Sequence, residues 1–214
     1  VLKALLGTVV ARAVGTPGDP GIVLDLGEVH GVDDGNTTPF DANAVSLSLN
    51  NAGLFVGVGG SLNDPDNNDG TLTDPDRYSD DTVVNGPFGF GAAVDSLDLV
   101  SLKNRRGDQN PANDVDYLGV QMEGAKATLL GLEGLLDLGI WDAALKVNKV
   151  TDHSNPPTTP AKLDWNHPLT IDPIEGGITL ASLDIDKTLD LHAEGNVVLK
   201  ALLGTVVARA VGTP

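Results

Sequence analysis

TLDLHAEGNVVLKALLGTVVARAVG, residues 188–212, decides how this chain is read. From Val198 onward, extended to Pro214, it spells VLKALLGTVVARAVGTP, and the chain opens with the same letters at Val1–Pro17. Val1 matches Val198 and Pro17 matches Pro214, so the period is 198 − 1 = 197 residues. Self-similarity at a fixed period is the mark of repeat architecture. Residues 1–197 therefore read as one full unit, and residues 198–214 as the start of the next. Identical large units joined end to end serve length, whereas catalysis needs a single site; a structural role is expected and an enzyme is not.

Upstream of the duplicated letters, Leu189, Leu191 and Ala193 alternate with Asp190, His192 and Glu194. Such alternation predicts a half-buried strand. Beyond Val197 both faces turn apolar, with Val198, Leu202 and Val206 on one side and Leu199, Leu203 and Val207 on the other, which predicts cover on both faces. One strand of this length would be unusual, so turns are expected at Glu194–Gly195–Asn196 and near Gly204–Thr205. A helix over Leu199–Val211 is the rival reading, opposed by Gly204, Thr205 and the β-branched pair Val206–Val207.

The rest of the chain extends this pattern. With 26 Gly, 13 Pro and only 4% aromatic residues, it is turn-rich and must pack a thin core from Leu, Val, Ala and Gly. Strands are predicted at Ile22–Val29, with Leu24 and Leu26 on one face, at Val45–Leu49, and, after a turn at Asn50–Gly53, at Leu54–Val58. Others are predicted at Phe88–Leu102 and Ile178–Ile185. The apolar block Leu118–Val150 is spaced by glycines that suit hairpins, although KATLLGLEGLLDL (residues 126–138) also reads as a helix. Gly31–Pro39, Lys103–Asp116 and the Pro-rich stretch 151–168 read as loops. Leu-x-Leu words starting at Leu47, Leu97, Leu136 and Leu189 hint at about four hairpin units within the period. The expected fold class is all-β: an elongated antiparallel meander of hairpins, forming a continuous or solenoid-like sheet with long acidic and Pro-rich loops.

Thirty acidic residues against 13 basic ones give a net charge of −17. Phosphate recognition needs a basic footprint, so no nucleic-acid partner is expected. The chain has no Cys, which excludes disulfides and thiolate metal sites. The opening apolar run recurs at the far end, which argues against a signal peptide. Lys3 and Arg12 interrupt it and it is too short to cross a bilayer, so no membrane insertion is expected.

The sharpest shift in composition is Asn63–Gly86. A calcium ion takes six to eight oxygen ligands, which loops supply from alternating Asp and Asn with a nearby Gly. Asp64, Asp66 and Asn68 alternate, Asp69 precedes Gly70, and Asp74 and Asp76 repeat the Asp-Pro-Asp phrase; these six are the candidate metal ligands, with Ca²⁺ as the expected ion. Asp80 and Asp81 are candidates for a further site. The spacing departs from the EF-hand, since its Gly comes one position late and no Glu closes the loop. A solvated acidic loop that blocks edge-to-edge aggregation is the alternative. His30, His153, His167 and His192 are scattered without metal-ligand spacing. No nucleophile elbow, P-loop or H-E-x-x-H occurs, so there are no candidate catalytic residues. Trp141 and Trp165 are either core anchors or sugar-stacking platforms.

At AGLFVGVGGSL (Ala52–Leu62), LDLVSLK (Leu97–Lys103), LKVNKVTD (Leu145–Asp152) and KLDW (Lys162–Trp165), the chain resembles the tandem-repeat regions of giant secreted bacterial surface proteins, among them adhesin-like and haemolysin-type calcium-binding proteins. The haemolysin-type nonapeptide is absent, because Gly59-Gly60-Ser61-Leu62-Asn63-Asp64 lacks its third Gly. The resemblance implies an extracellular or cell-surface stalk or fibre, often stiffened by calcium, and transfers no catalytic residue. The expectation is thus a repeat unit of a long extracellular filament that self-associates with neighbouring repeats or chains. The alternative is an adhesin module that grips a glycan or cell surface through the loops Asn63–Gly86 or Lys103–Asp116.

Overall fold

A computed structural model of the chain describes residues 2–4, 7–15, 20–35, 38–64, 80–104, 114–166, 170–172, 178–201 and 206–211. Among them are strands and no helix: β1 (Leu2–Ala4), β2 (Gly7–Ala13), β3 (Ile22–Asp33), β4 (Phe40–Val58), β5 (Ser61–Asn63), β6 (Thr82–Val84), β7 (Phe88–Asn104), β8 (Val115–Leu130), β9 (Leu136–Asp152), β10 (Thr170–Asp172), β11 (Leu191–Ala201) and β12 (Val206–Ala210). The chain is all-β. Its main sheet is antiparallel and open, in the order β1-β2-β4-β7-β8-β9-β11-β12, with β3 paired to β4 and β10 to β3. A second, two-stranded sheet, β5-β6, shares no strand pairing with it.

The strands are longer than the sequence suggested. β4 runs 19 residues and the predicted turn at Asn50–Gly53 does not form. One half of β4 pairs with β2 (Ala13 opposite Ala52) and the other with β3 (Ile22 opposite Leu49). Thus β2 and β3 lie in line as one interrupted strand. Their junction is pinned by Val14 N donating to Asn50 O (3.2 Å), Asn50 N to Gly21 O (2.9 Å) and Asn50 Nδ2 to Pro20 O (3.0 Å). The turn predicted at Glu194–Gly195–Asn196 is likewise a kink inside β11, and residues 126–138 form the end of β8, a tight turn and the start of β9 rather than a helix.

These kinks line up. Positive φ occurs at Asn51 (47°), Gly124 (62°), Asp142 (50°) and Gly195 (152°), and register shifts accompany those in β8, β9 and β11. The result is a crease crossing the sheet perpendicular to its strands. At the crease the apolar phase slips by one residue: in β4 from Val45, Leu47 and Leu49 to Ala52, Leu54 and Val56, in β8 from Val120 and Met122 to Ala125 and Ala127. A one-residue slip normally sends side chains to the opposite face. Here the left-handed residue cancels that reversal, so one face stays apolar through both halves. Gly124 holds φ at 62°, a conformation that favours glycine, and a Cβ there would also press on the Asp95 side chain.

The two faces differ. On one, Val29, Ala42, Ala44, Val100, Leu102, Val115 and Tyr117 are buried beneath Leu163, Trp165, Leu183 and Ile185. Those last four belong to a strap, residues 161–166 and 178–190, that crosses the sheet without regular secondary structure. The strand predicted at Ile178–Ile185 is part of this strap. Its alternation is real, since Leu183 and Ile185 are buried while Ser182 and Asp184 are exposed. However, it lies on a face, where backbone groups are already paired within the sheet, so side chains anchor it. Ala181 N donates to Ser46 Oγ (2.8 Å), Asp184 N to Gln121 Oε1 (2.7 Å) and Asp164 N to Asp34 Oδ2 (2.9 Å). Buried Asn148 donates to Leu163 O (2.9 Å) and accepts from Trp165 Nε1 (3.0 Å). Gly119 provides the room, because a Cβ there would meet Leu183 Cδ1 at 2.5 Å and Trp165 Cε2 at 2.9 Å.

The opposite face has no such cover among the described residues. Cross-strand rows such as Leu24–Leu47–Leu99–Val120–Val147–Leu191 run along it from β3 to β11. Ile22, Leu24, Leu26, Val56, Phe88 and Leu191 are among its exposed apolar side chains.

Candidate functional site

The duplicated stretch forms the two ends of the sheet. Its first copy is the β1-β2 hairpin, with Leu2 opposite Val9 and Ala4 opposite Gly7. Its second copy pairs the end of β11 with β12, Leu199 opposite Ala208 and Ala201 opposite Val206. Both copies are hairpins. Subtracting the period, 208 − 197 = 11, puts the counterpart of Leu2 opposite the counterpart of Ala11 rather than Val9. The offset of two residues leaves the facing of every side chain unchanged.

The same residue meets different surroundings at the two ends. Val10 stands opposite Phe55 and is 0% exposed. The Phe55 ring lies against glycines: a Cβ on Gly57 or Gly60 would fall 2.7 Å or 2.1 Å from it. Val207, the second copy of Val10, stands opposite Lys200 and is 60% exposed. On its other side β12 has no strand among the described residues, whereas β2 there carries β4. The free edge of β12 therefore has the sequence that, in its first setting, pairs with Ala52–Val56.

Of the predicted calcium ligands, Asp66, Asn68, Asp69, Asp74 and Asp76 lie outside the described residues. Asp64 is half-buried at the end of β5. The β5-β6 pairing of Asn63 with Thr82 makes Asp64 and the fully buried Asp81 the next positions across the stem, so two carboxylate residues flank the mouth of the acidic loop. The stem rests on the sheet, with Val83 packed over Gly53. Among the described residues no three metal-ligating side chains gather. Three described histidines pair with single carboxylates, His30 with Asp41, His153 with Asp116 and His192 with Glu194.

Beside the stem lies a cavity of about 490 Å³, lined by Arg12, Asn51, Asn85, Asp95, Lys126 and Trp141 among others. Lys126 Nζ stands 3.8 Å from Asp95 Oδ1. Of its members only Trp141 stands out in the sequence, as a sugar-stacking candidate, because the lining comes from six separate segments that meet at the crease. Trp165 is 5% exposed and belongs to the core, whereas Trp141 is half-buried on the cavity wall.

Several exposed carboxylates are held by their own turns. Asp152 accepts from the hydroxyls and backbone N–H groups of both Ser154 and Thr158, which holds its carboxyl far below the usual range. Asp186 is lowered by the Thr188 hydroxyl and N–H, and Asp41 by the Gly31 N–H and His30. These groups close turns next to the strap and the β3-β4 connection; they do not converge on a reacting centre. Comparison of the chain with protein-family profiles, curated protein sequences and solved structures finds no match in any of the three.

Proposed function

We propose that this chain is a unit of a tandem array whose successive copies continue one antiparallel sheet, forming a stiff extracellular filament. The observation that carries the reading is the fate of the duplicated letters: they make a hairpin at each end of the sheet, and among the described residues each copy has paired the side that the other leaves free, β2 with β4 in the first and β11 with β9 in the second. Superposing the β1-β2 hairpin of a following unit on β11-β12 brings that unit's β4 against the free edge. Each period then contributes β2, β4, β7, β8, β9 and β11 to the sheet. The direction of β12 matches that of β2, as continuation demands. At the usual strand spacing of about 4.8 Å, the six strands add about 29 Å of length per unit. Nearest-neighbour stacking of this kind is the logic of quasi-one-dimensional arrays.

The role is mechanical and no catalytic step is assigned. The bacterial, cell-surface setting rests on the words shared with the repeat regions of secreted proteins. Calcium at the acidic loop remains part of the proposal, supported by the carboxylates at its mouth. A second reading, an adhesin module, is favoured by the cavity that joins Trp141 to polar side chains, the kind of lining that orients a sugar. An isolated unit that stays monomeric and binds a glycan, with binding lost in Trp141→Ala, would support it.

The test uses a protein of two consecutive units. Because the chain lacks Cys, Val207→Cys combined with Cys in place of the second unit's Phe55 counterpart would form one disulfide upon oxidation. Small-angle scattering on proteins of one to four units should show length growing by about 29 Å each. No disulfide, or units that tumble independently, would end the filament reading.

A further inference from the structure

We infer that the open face of the sheet is an interface for a second copy of this chain, so that two sheets pack face to face into a double-layered assembly. The first observation is its composition. The row Ile22–Leu49–Leu97–Met122–Leu145–Ala193 lies beside the Leu24 row, and beyond the crease comes Ala11–Leu54–Ala92–Ala127–Ile140–Val197. None of these rows contains an ionisable residue. In a chain of net charge −17 that is exceptional. Two copies can meet here without bringing carboxylates together, whereas other faces would oppose like charges.

The second observation is area. Ile22, Leu24, Leu26, Val56, Phe88 and Leu191 are each between 45% and 64% exposed. Those six alone leave about 650 Å² in contact with water, and the half-buried rows between them add to it, against roughly 800 Å² per partner in a stable interface. Apolar patches of this size are uncommon on monomers. Two pleated faces about 10 Å apart would interdigitate as in a sandwich core. At the crease the face is hollowed to about 700 Å³ and floored by alanines, including Ala52, Ala92, Ala125 and Ala143, with Arg12 and Lys126 as its charged lining residues and no carboxylate, which leaves room for larger side chains from the opposite sheet.

The third argument rests on the filament reading. The apolar rows cross every long strand, so in an array the bare surface lengthens with each unit, and an occupant of the same repeat covers it without gaps. A second array meets that condition. The pairing of one unit with one unit does not depend on the array.

The experiment is analytical ultracentrifugation of the whole chain, alone and as two variants. Val207→Asp charges the free edge of β12 and leaves the open face intact. Leu24→Lys/Val56→Lys changes two exposed side chains on the open face, and circular dichroism checks that the strands persist. The wild-type chain and Val207→Asp should both dimerise, and Leu24→Lys/Val56→Lys should weaken the dimer at least about tenfold. A wild-type chain that stays monomeric at about 100 µM would overturn the inference, since standard-sized interfaces hold at micromolar levels. So would a dimer unaffected by Leu24→Lys/Val56→Lys. Binding to phosphatidylcholine vesicles without dimerisation, abolished by the same double variant, would assign the face to lipid instead. A dimer lost only in Val207→Asp would show edge pairing and refute the face. Failure of the two-unit disulfide would remove the array while leaving this dimer standing.

Discussion

Val10 and Val207 are the same residue in the same local sequence, and replacing each with Ala separates sequence from setting. Val10 is fully buried, so Val10→Ala removes two buried methyl groups at about 0.8 kcal/mol each, plus a cavity contribution, for a loss of about 2 kcal/mol. Val207 is mostly exposed in the single unit, and Val207→Ala should cost less than about 0.5 kcal/mol there. Urea unfolding followed by tryptophan fluorescence reads the difference: with a slope of about 2 to 3 kcal/mol per molar for a chain of this size, Val10→Ala should lower the midpoint by about 0.7 to 1 M. In a two-unit protein the β12 strand of the first unit gains a β4 neighbour, Val207 meets a Phe55 counterpart, and Val207→Ala should rise to the Val10 cost. Amide exchange at Val206–Ala210 should slow in parallel. Equal costs for Val207→Ala in the one-unit and two-unit proteins would refute the seam.

Three further outcomes follow. Gly119→Val should drive the strap off the sheet, costing about 2 to 4 kcal/mol, because Leu183 and Trp165 occupy the space its side chain needs; a red-shifted Trp165 emission with the strands retained is the readout. Asp152 and Asp186 have folded-state pKa values below their unfolded value near 3.8, so the stability they contribute is complete above that value and is lost as pH falls through the lower folded ones. Melting temperature should therefore drop below about pH 4, and Asp152→Asn should flatten that acid limb. If the acidic loop holds calcium with the millimolar to sub-millimolar affinity of extracellular modules, 10 mM calcium should add about 1.4 to 2.7 kcal/mol, a rise of about 3 to 11 °C. Asp66→Asn should reduce that rise, and an unchanged melting temperature would remove the metal.

The strands were legible where a single phase of alternation persisted, as at Leu24–Leu26 and Leu97–Leu99. The crease was not, because Asn50–Asn51 and Gly195–Asn196 have the composition of turns, and composition does not distinguish a reversal from a one-residue slip. A signal was present: the apolar set in β4 changes from odd to even positions without the polar run that a true reversal would bring. The strap escaped for a different reason. Alternation at Ile178–Ile185 reports burial on one side, and it says nothing about whether the other partner is a sheet edge or a sheet face. The long block 118–150 was ambiguous because leucines at 129, 130, 132, 135 and 136 satisfy both periods; Gly131 and Gly134, with φ near 84° and 90°, settle it as a tight connection. The turn expected near Gly204–Thr205 lies outside the described residues, while the strands on either side of it replace the rival helix; the difference between buried Val10 and bare Val207 needed the packing.

Six is an even number. In an antiparallel sheet an even count returns the chain to its starting direction, so each added unit would arrive with its strap on the same side and its crease in line with the last. Gain or loss of a whole copy would leave the flanking junctions indistinguishable from before, and gene recombination between identical repeats would change reach alone. A family of lengths, rather than one length, is the natural product of such a joint.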